Sequence, residues 1–331
     1  MGKMKSSGGG MGGGGMGGAC YTYPGAPATP GLTTADVTFN RSIYMNGSMT
    51  MDDGRNVTIW GFNDDGGGGM GGMGGTFPSP PIRVNQGQLV HTVLNNEEMM
   101  WLHTIHHHGI EPSTENDGVG HTSFDLQGTY TYQWLASHAG TYFYHCHTNT
   151  PLHAEMGMYG ALIIDPPEGP GRAFAGGPSY DVEAIWAVDE IDSSWRGLNW
   201  DAGTCGGDVG LNVLNPDYFI ISGVDGAQSA LTDSRVAVKM NRGESLLVRY
   251  INAGFLPQTI RFGGLTGSIV ASDGRALPMA ESATSIDSVA AERFDVMITP
   301  SSSGSYTVEI DIKHWVTGAV LGTARTRITV N

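Results

Sequence analysis

Residues 144–160 read YHCHTNTPLHAEMGMYG, a stretch that combines one cysteine, three histidines and two methionines. Thiolates, imidazole nitrogens and thioether sulfurs are soft or borderline metal ligands. A cysteine, two histidines and a weak axial methionine form the ligand set of copper sites that pass single electrons. The stretch therefore predicts a copper-binding loop.

Strand-like runs lie on both sides of this loop. Between about 36 and 165 they are rich in Val, Ile, Thr and aromatic residues and are separated by Gly, Asn and Asp turns. A Pro/Gly linker follows at 166–179, and a second set of such runs fills 180–331. No window shows helical periodicity over ten or more residues. The pattern predicts an all-β chain with two tandem β-sandwich domains, 36–165 and 180–331.

Two glycine-rich runs interrupt this organisation. Residues 1–35 show no periodicity and predict a flexible arm, and DDGGGGMGGMGG at 64–75 predicts a mobile loop. Both runs carry methionines, so Cu(I) capture by thioethers is an alternative to a plain linker. The loose spacing favours the linker.

Composition limits the class of partner. The 17 basic and 32 acidic residues among 331 give a net charge of −15, which argues against nucleic acid or an anionic membrane and favours cationic partners. No apolar stretch approaches the length of a membrane span, and the first residues lack the apolar core of a signal peptide. With Cys146 on a metal, Cys20 and Cys205 remain as a disulfide pair or as two free thiols.

Histidines are concentrated in one part of the chain: ten of the eleven lie between 91 and 153. Besides the copper loop, WLHTIHHHG at 101–109 is dense in them. Successive side chains of a strand point to opposite faces. His145 and His147 therefore lie on one face of the strand and Cys146 lies on the other. This alternation predicts two metal sites, one on each face.

The first predicted site comprises His103, Cys146, His153 and Met158, with Met156 as the alternative to Met158. The competing interpretation of Cys146 is a small buried apolar residue. The second site draws on His106, His108, His145 and His147. His107 falls on the wrong face and is expected near the ligands or at the surface. Structural or supporting roles are expected for the other three histidines of this region, His91, His121 and His138.

The chain resembles the multicopper oxidases and the copper nitrite reductases, which are built from Greek-key cupredoxin domains. In the first domain the likeness lies in IHHHG with ENDG, in GTYFYHCH and in HAEMGMYGALIID; in the second it lies in YFIISGVDG, VRYINAG, VASDG and AAERFDVMI. It spans about 36–331. The resemblance implies two tandem cupredoxin-like domains and a fold that brings these motifs together.

The resemblance also implies roles for the ligands. A type 1 copper at the first site accepts electrons and passes them through the Cys-His backbone to a type 2 or type 3 centre at the flanking histidines. That centre reduces dioxygen in the oxidases and nitrite in the reductases. Asp117 of ENDG matches an acidic residue that helps to protonate reduced oxygen species, and its plain alternative is a turn residue before Gly118.

The second domain departs from the family pattern because it holds one histidine, His314. Copies of this chain therefore cannot supply a complete eight-histidine cluster. By analogy with trimeric nitrite reductases, a homotrimer could place a type 2 copper between His108 and His145 of one chain and His314 of the next. The aspartate position of the reductase active site is occupied by His106, which disfavours nitrite as the substrate.

The sequence thus favours a multicopper-oxidase-type oxidoreductase, periplasmic or extracellular, with a small molecule, a metal ion or a redox protein as electron donor. A blue-copper electron carrier, a periplasmic copper binder, a nitrite-reductase-like enzyme and a structural cupredoxin pair are the alternatives. Copper stoichiometry separates a carrier, with one ion per chain, from an enzyme with two or more.

Overall fold

A computed structural model describes residues 24–25, 29, 31–64, 75–96 and 101–331. Most of the predicted arm at 1–35 and of the predicted loop at 64–75 lies outside these residues, as does Cys20. Cys205 is disulfide-bonded, but the predicted pairing with Cys20 remains a prediction because Cys20 is not described.

The first half of the chain forms two four-stranded sheets. Its strands are β1 (Pro24–Gly25), β2 (Val37–Thr50), β3 (Asn56–Asp64), β4 (Ile82–Asn85), β5 (Leu89–Asn96), β6 (His106–His108), β7 (Asp125–Leu126), β8 (Gly128–Leu135), β9 (Gly140–His145) and β10 (Tyr159–Asp165). One sheet has the order β3-β2-β5-β8 and the other β4-β10-β9-β6, while β1 pairs separately with β7. Helix α1 (Thr150–Glu155) and a 3₁₀ turn (Thr114–Asn116) complete this half.

The second half forms a seven-stranded and a five-stranded sheet. Its strands are β11 (Val182–Ile191), β12 (Tyr218–Ile221), β13 (Val224–Asp225), β14 (Val238–Met240), β15 (Leu246–Asn252), β16 (Gln258–Arg261), β17 (Gly267–Ser272), β18 (Arg275–Ala283), β19 (Ser285–Ser288), β20 (Arg293–Ile298), β21 (Gly304–Lys313) and β22 (Val320–Val330). The orders are β13-β12-β11-β15-β20-β17-β18 and β14-β22-β21-β16-β19. Two 3₁₀ turns lie at Ser193–Gly197 and Ser229–Leu231.

Each half has its own apolar core, as the alternation of its strands predicts. In β8 the buried residues Tyr130, Tyr132 and Trp134 alternate with partly exposed neighbours. They join a core that includes Cys146, whereas the largest core of the second half contains only residues between 184 and 330. Burial of one strand face against a facing sheet is the driving force of such a sandwich.

Charged side chains join the two halves. Arg83 of β4 lies 2.6 Å from both Asp165 and Glu183, and Glu183 in turn lies 2.7 Å from Nε of the fully buried Arg249. Arg249 also lies 3.6 Å from Asp295. Because a buried guanidinium needs nearby carboxylates, this network fixes β10 of the first half against β11 and β15 of the second.

The all-β fold predicted from the sequence is confirmed, and the sheets divide between strands at 37–165 and strands at 182–330. The domain boundaries themselves stay a prediction. Within the described residues, one short α-helix, α1, is present. It lies between Cys146 and Met158 and contains His153, and its six residues are too few for periodicity over ten residues to reveal it. The described part of the chain has no helix whose length and apolar character would allow it to cross a membrane.

Candidate metal centres

Three side chains of the first predicted site converge inside the first half. Sγ of Cys146 lies 3.3 Å from Nδ1 of His153 and 3.7 Å from Nδ1 of His103. All three side chains have 0% exposure. Their ligand atoms lie within 4.8 Å of one another, which is compatible with a single metal ion. Two imidazole nitrogens and one sulfur aimed at the same point fit a borderline-to-soft metal.

Local structure explains how distant residues meet here. Cys146 follows β9 directly, and its N–H donates to the carbonyl of Met158 at 3.0 Å. His103 is held by an isolated bridge to Leu126. Asn149 adopts a left-handed conformation (φ 42°) and starts α1, which returns the chain so that His153 faces Cys146. Asn tolerates this conformation better than most residues.

The structure distinguishes the two methionines. Sδ of Met156 accepts a hydrogen bond from Nη1 of Arg196 at 3.7 Å. Both methionines are fully buried, and the N–H of Met158 donates to the carbonyl of His153 at 3.1 Å. Since the sulfur of Met156 already faces a cation, these contacts favour Met158 as the axial ligand. That assignment remains a proposal.

Burial keeps this site uncharged in the absence of metal. It raises the pKa of the Cys146 thiol to about 12 and lowers the pKa of His153 to about 4. The pKa of His103 is lowered well below its usual value by burial and by the neighbouring His153. A bound cation would replace the thiol proton, because the thiolate and not the thiol is the ligand.

A second group of imidazoles lies on the opposite side of the Cys146 backbone. Ligand atoms of His106, His108 and His145 lie within 4.8 Å of one another. The His147 ring lies 5.4 Å from that of His106 and 5.7 Å from that of His145. Four imidazoles therefore meet where the sequence places its second site, and three of them form a compact set.

Strand register positions this group. Strand β6 pairs antiparallel with β9, so that His106 is opposite His145. Nδ1 of His106 lies 2.8 Å from the carbonyl oxygen of Asp117 and 3.2 Å from its Oδ1. Because both are acceptors, Nδ1 carries the proton and leaves Nε2 able to bind a metal. The carbonyl of Cys146 holds Nδ1 of His145 in the same way, at 2.9 Å.

The pKa values of these imidazoles also favour neutral rings. Burial, Arg293 and His106 lower the pKa of His108 to about 3. The pKa of His145 is lowered well below its usual value by burial and by His106, and that of His147 is lowered by the same two causes. A neutral imidazole can bind a metal without first losing a proton.

Steric constraints explain why glycine occupies these positions in the two short motifs. Gly109 of IHHHG has φ +88°, and a Cβ there would lie 2.5 Å from Nη2 of Arg293. Gly118 of ENDG has φ +71°, and a Cβ would lie 2.1 Å from the carbonyl oxygen of Ile105. Any larger residue would displace β6 or the turn at Asp117.

The other histidines are members of neither group. His107 is buried, its Nε2 lies 2.9 Å from Oγ1 of Thr92, and its ring contacts that of Trp134. It points away from the second group, as predicted, and of its two expected locations the one at the surface is wrong because β6 faces the core on this side. His91 lies 3.2 Å from Oγ1 of Thr33, and His121 and His138 are exposed.

His314 lies just after β21, in the turn that leads to β22, rather than on a strand. Its Nδ1 accepts the N–H groups of Val316 and Thr317, each at 3.2 Å. This arrangement leaves Nε2 as the nitrogen that could bind a metal.

Sequence reasoning missed the contribution of the second half to the first site. The carbonyl of Trp200 accepts a hydrogen bond from Nε2 of His153 at 2.9 Å. Arg196 lies between Met156 and the buried Glu155, 3.1 Å from the latter. No motif or spacing marks either residue, because their role comes from tertiary contact across the linker.

Part of the chain matches a known family model. Residues 44–169 match the family model described as "Multicopper oxidase". L-ascorbate oxidase of Cucumis sativus is 33% identical over 187 residues, covering 52% of this chain and 28% of the relative. Copper resistance protein A of Pseudomonas syringae pv. tomato is 28% identical over 274 residues, covering 71% and 43%. The chain thus spans less than half the length of these two relatives.

Solved structures share the fold. The Blue Copper Oxidase from Nitrosomonas europaea matches with a TM-score of 0.69 at 24% identity, covering 89% of this chain and 86% of that one. The copper nitrite reductase from the same organism matches with a TM-score of 0.65 at 18% identity, covering 89% and 93%. The tandem cupredoxin-like architecture is confirmed. The stretch that matches the multicopper oxidase family model, residues 44–169, contains the converging cysteine and histidines.

Proposed function

We propose that the chain is a copper-dependent oxidoreductase that takes electrons at a type 1 copper and passes them to a histidine-bound copper centre that reduces dioxygen. The observation that carries this proposal is the placement of Cys146 in one ligand group and of its neighbour His145 in the other. The two groups are joined by a single peptide bond.

The described residues fit this role. When bound, the copper ions supply the one-electron chemistry that no side chain here provides. Cys146, His103 and His153 would hold a copper ion in a site without solvent exposure, which would limit ligand rearrangement. Asp117 orients His106 and is the carboxylate best placed to deliver a proton to the second centre.

In this proposal, residues from another chain complete the second centre. The second half contributes one histidine, His314. We therefore propose a homotrimer in which Nε2 of His314 faces His108 and His145 of the neighbouring chain. The hydrogen bonds of His314 support this assignment. Its Nδ1 accepts two backbone N–H groups, so Nε2 is the nitrogen that would bind the metal.

A second candidate is a blue-copper electron carrier or a copper-binding protein without turnover. The incomplete second group favours it, and one relative is named for copper resistance. A nitrite-reductase-like activity has weaker support because the structural likeness shows the fold alone. For all candidates we propose a periplasmic or extracellular location and a small molecule, a metal ion or a redox protein as donor.

Copper stoichiometry and oxygen uptake test the proposal. Copper-loaded protein is expected to hold two or more ions per chain, absorb intensely in the visible, and consume oxygen when given a reductant. One ion per chain with intense absorption but no oxygen uptake would instead establish the carrier. Nitrite consumption under anaerobic conditions would establish the reductase.

A further inference from the structure

The segment between β11 and β12, residues 192–217, covers the thiolate site from the second half. We call it the covering loop. Six of its apolar side chains pack against the core of the first half, and one of them, Leu214, also packs against the core of its own half. These side chains are Trp195, Leu198, Trp200, Ala202, Leu211 and Leu214.

Hydrogen bonds fix the covering loop over His153. The Trp200 carbonyl accepts from Nε2 of His153 at 2.9 Å. Nδ2 of Asn149 donates to the carbonyls of Trp200 and Ala202, each at 3.0 Å. As a result His153 has no exposed edge.

This contact limits what His153 can do for an electron donor. A carbonyl only accepts hydrogen bonds, so Nε2 of His153 must carry the proton. That nitrogen therefore cannot take a proton from a donor such as a phenol. The residue whose carbonyl caps His153 also forms an aromatic pair, since the Trp200 ring is 6.3 Å from that of Trp101 at an angle of 31° and both residues are partly exposed.

We infer that electrons enter at the outer face of the Trp101–Trp200 pair, from cationic outer-sphere donors that release an electron without giving a proton to the protein. This inference rests on the proposed function. The net charge of −15 attracts cations to the protein. Each donor loses one electron and no protein bond forms or breaks. Reduction of one dioxygen to two waters takes four such electrons and four protons from solvent.

The protective role of the covering loop can be tested without copper, because the reaction rate of the Cys146 thiol shows how easily a reagent reaches the site. In metal-free protein the loop should protect Cys146 from a thiol reagent such as 5,5′-dithiobis(2-nitrobenzoate). Asn149→Gly keeps the left-handed conformation but removes two hydrogen bonds, and the modification rate should rise about tenfold or more. Asn241→Gly, which removes another amide hydrogen bond in a turn of the second half, is the control and should react like wild type. Equal rates in all three proteins would overturn the role of the loop.

Donor specificity tests the entry point on copper-loaded protein. Hexaammineruthenium(II) should be oxidised with a higher kcat/KM than 2,6-dimethoxyphenol. Asn149→Gly should lower the ratio of these two kcat/KM values. Trp200→Leu retains the capping carbonyl and should lower kcat/KM for the ruthenium donor several-fold, whereas Tyr306→Leu, on β21, should not. A preference for the phenol, or an unchanged ruthenium rate in Trp200→Leu, would overturn the inference while leaving the oxidase proposal intact. Failure with every donor would reject the oxidase and with it this entry point, and the thiol experiment would still decide the role of the loop.

Discussion

Nδ1 of His153 lies 3.3 Å from Sγ of Cys146, and neither side chain is exposed to solvent. The seven-residue separation is bridged by α1, which turns the chain back on itself. The same backbone sends the adjacent imidazole of His145 towards a different group. Cys146 thus belongs to the first ligand group, and the residue that precedes it, His145, belongs to the second.

Replacement of Cys146 by serine tests the first site. The hydroxyl is a poor copper ligand, so Cys146→Ser should lose the intense visible absorption and one copper ion per chain. Absorption spectra and metal analysis of the purified variant provide the measurement. The second group should keep its copper because its imidazoles are unchanged. If both colour and copper content survive, a thiolate copper site at Cys146 is excluded.

The two methionines provide a matched pair of variants. Met158→Leu should shift the visible band and change the reduction potential, since it removes the proposed axial sulfur. Met156→Leu should leave both properties close to wild type, because its sulfur contacts Arg196. Such a swap of similar volume usually costs less than about 1.5 kcal/mol of stability. The reverse result, with the larger spectral shift in Met156→Leu, would make Met156 the ligand.

The features that depend on local sequence patterns could be predicted from the sequence. Alternation along a strand separated Cys146 from His145 and His147, and turn-bounded runs predicted the sandwiches. Two contributions were not predictable. The hydrogen bond from His153 to Trp200 joins residues across the linker. The approach of Arg293 to Gly109 depends on how the two halves pack. Both depend on tertiary geometry that no local pattern encodes.

Asp117 offers a test of proton delivery. Asp117→Asn keeps the backbone carbonyl that holds His106 but removes the ionisable group. If Asp117 acts in proton transfer, the oxygen-uptake rate should fall by about 10²-fold or more, a typical effect for general acid–base catalysis. Copper content should stay the same. Asp53→Asn, which changes a carboxylate of the β2–β3 turn, is the control. A wild-type rate in Asp117→Asn would reduce this residue to its alternative role in the turn before Gly118.

The burial of Glu190 predicts a pH dependence of stability. It is fully buried, and its Oε1 accepts the N–H groups of Phe255 and Leu256 at 2.6 and 3.0 Å. Burial raises its pKa from 4.5 to about 7. Because the folded protein binds this proton more tightly than the unfolded chain, the stabilisation is full below pH 4.5 and is lost as the pH rises through about 7.

The difference between wild type and Glu190→Gln measures this contribution together with the effect of the Glu190 charge on Glu155 and Asp189. A shift from 4.5 to about 7 corresponds to about 3 kcal/mol at most. Glutamine keeps the acceptor oxygen for both N–H groups but does not titrate, so the variant should lose less stability than wild type between pH 5 and pH 8. Urea unfolding of metal-free protein at the two pH values measures the loss, and exposed Glu281→Gln serves as the control. Parallel losses in wild type and Glu190→Gln would show that Glu190 has no raised pKa, since only a group that titrates differently in the folded and unfolded states can make stability depend on pH.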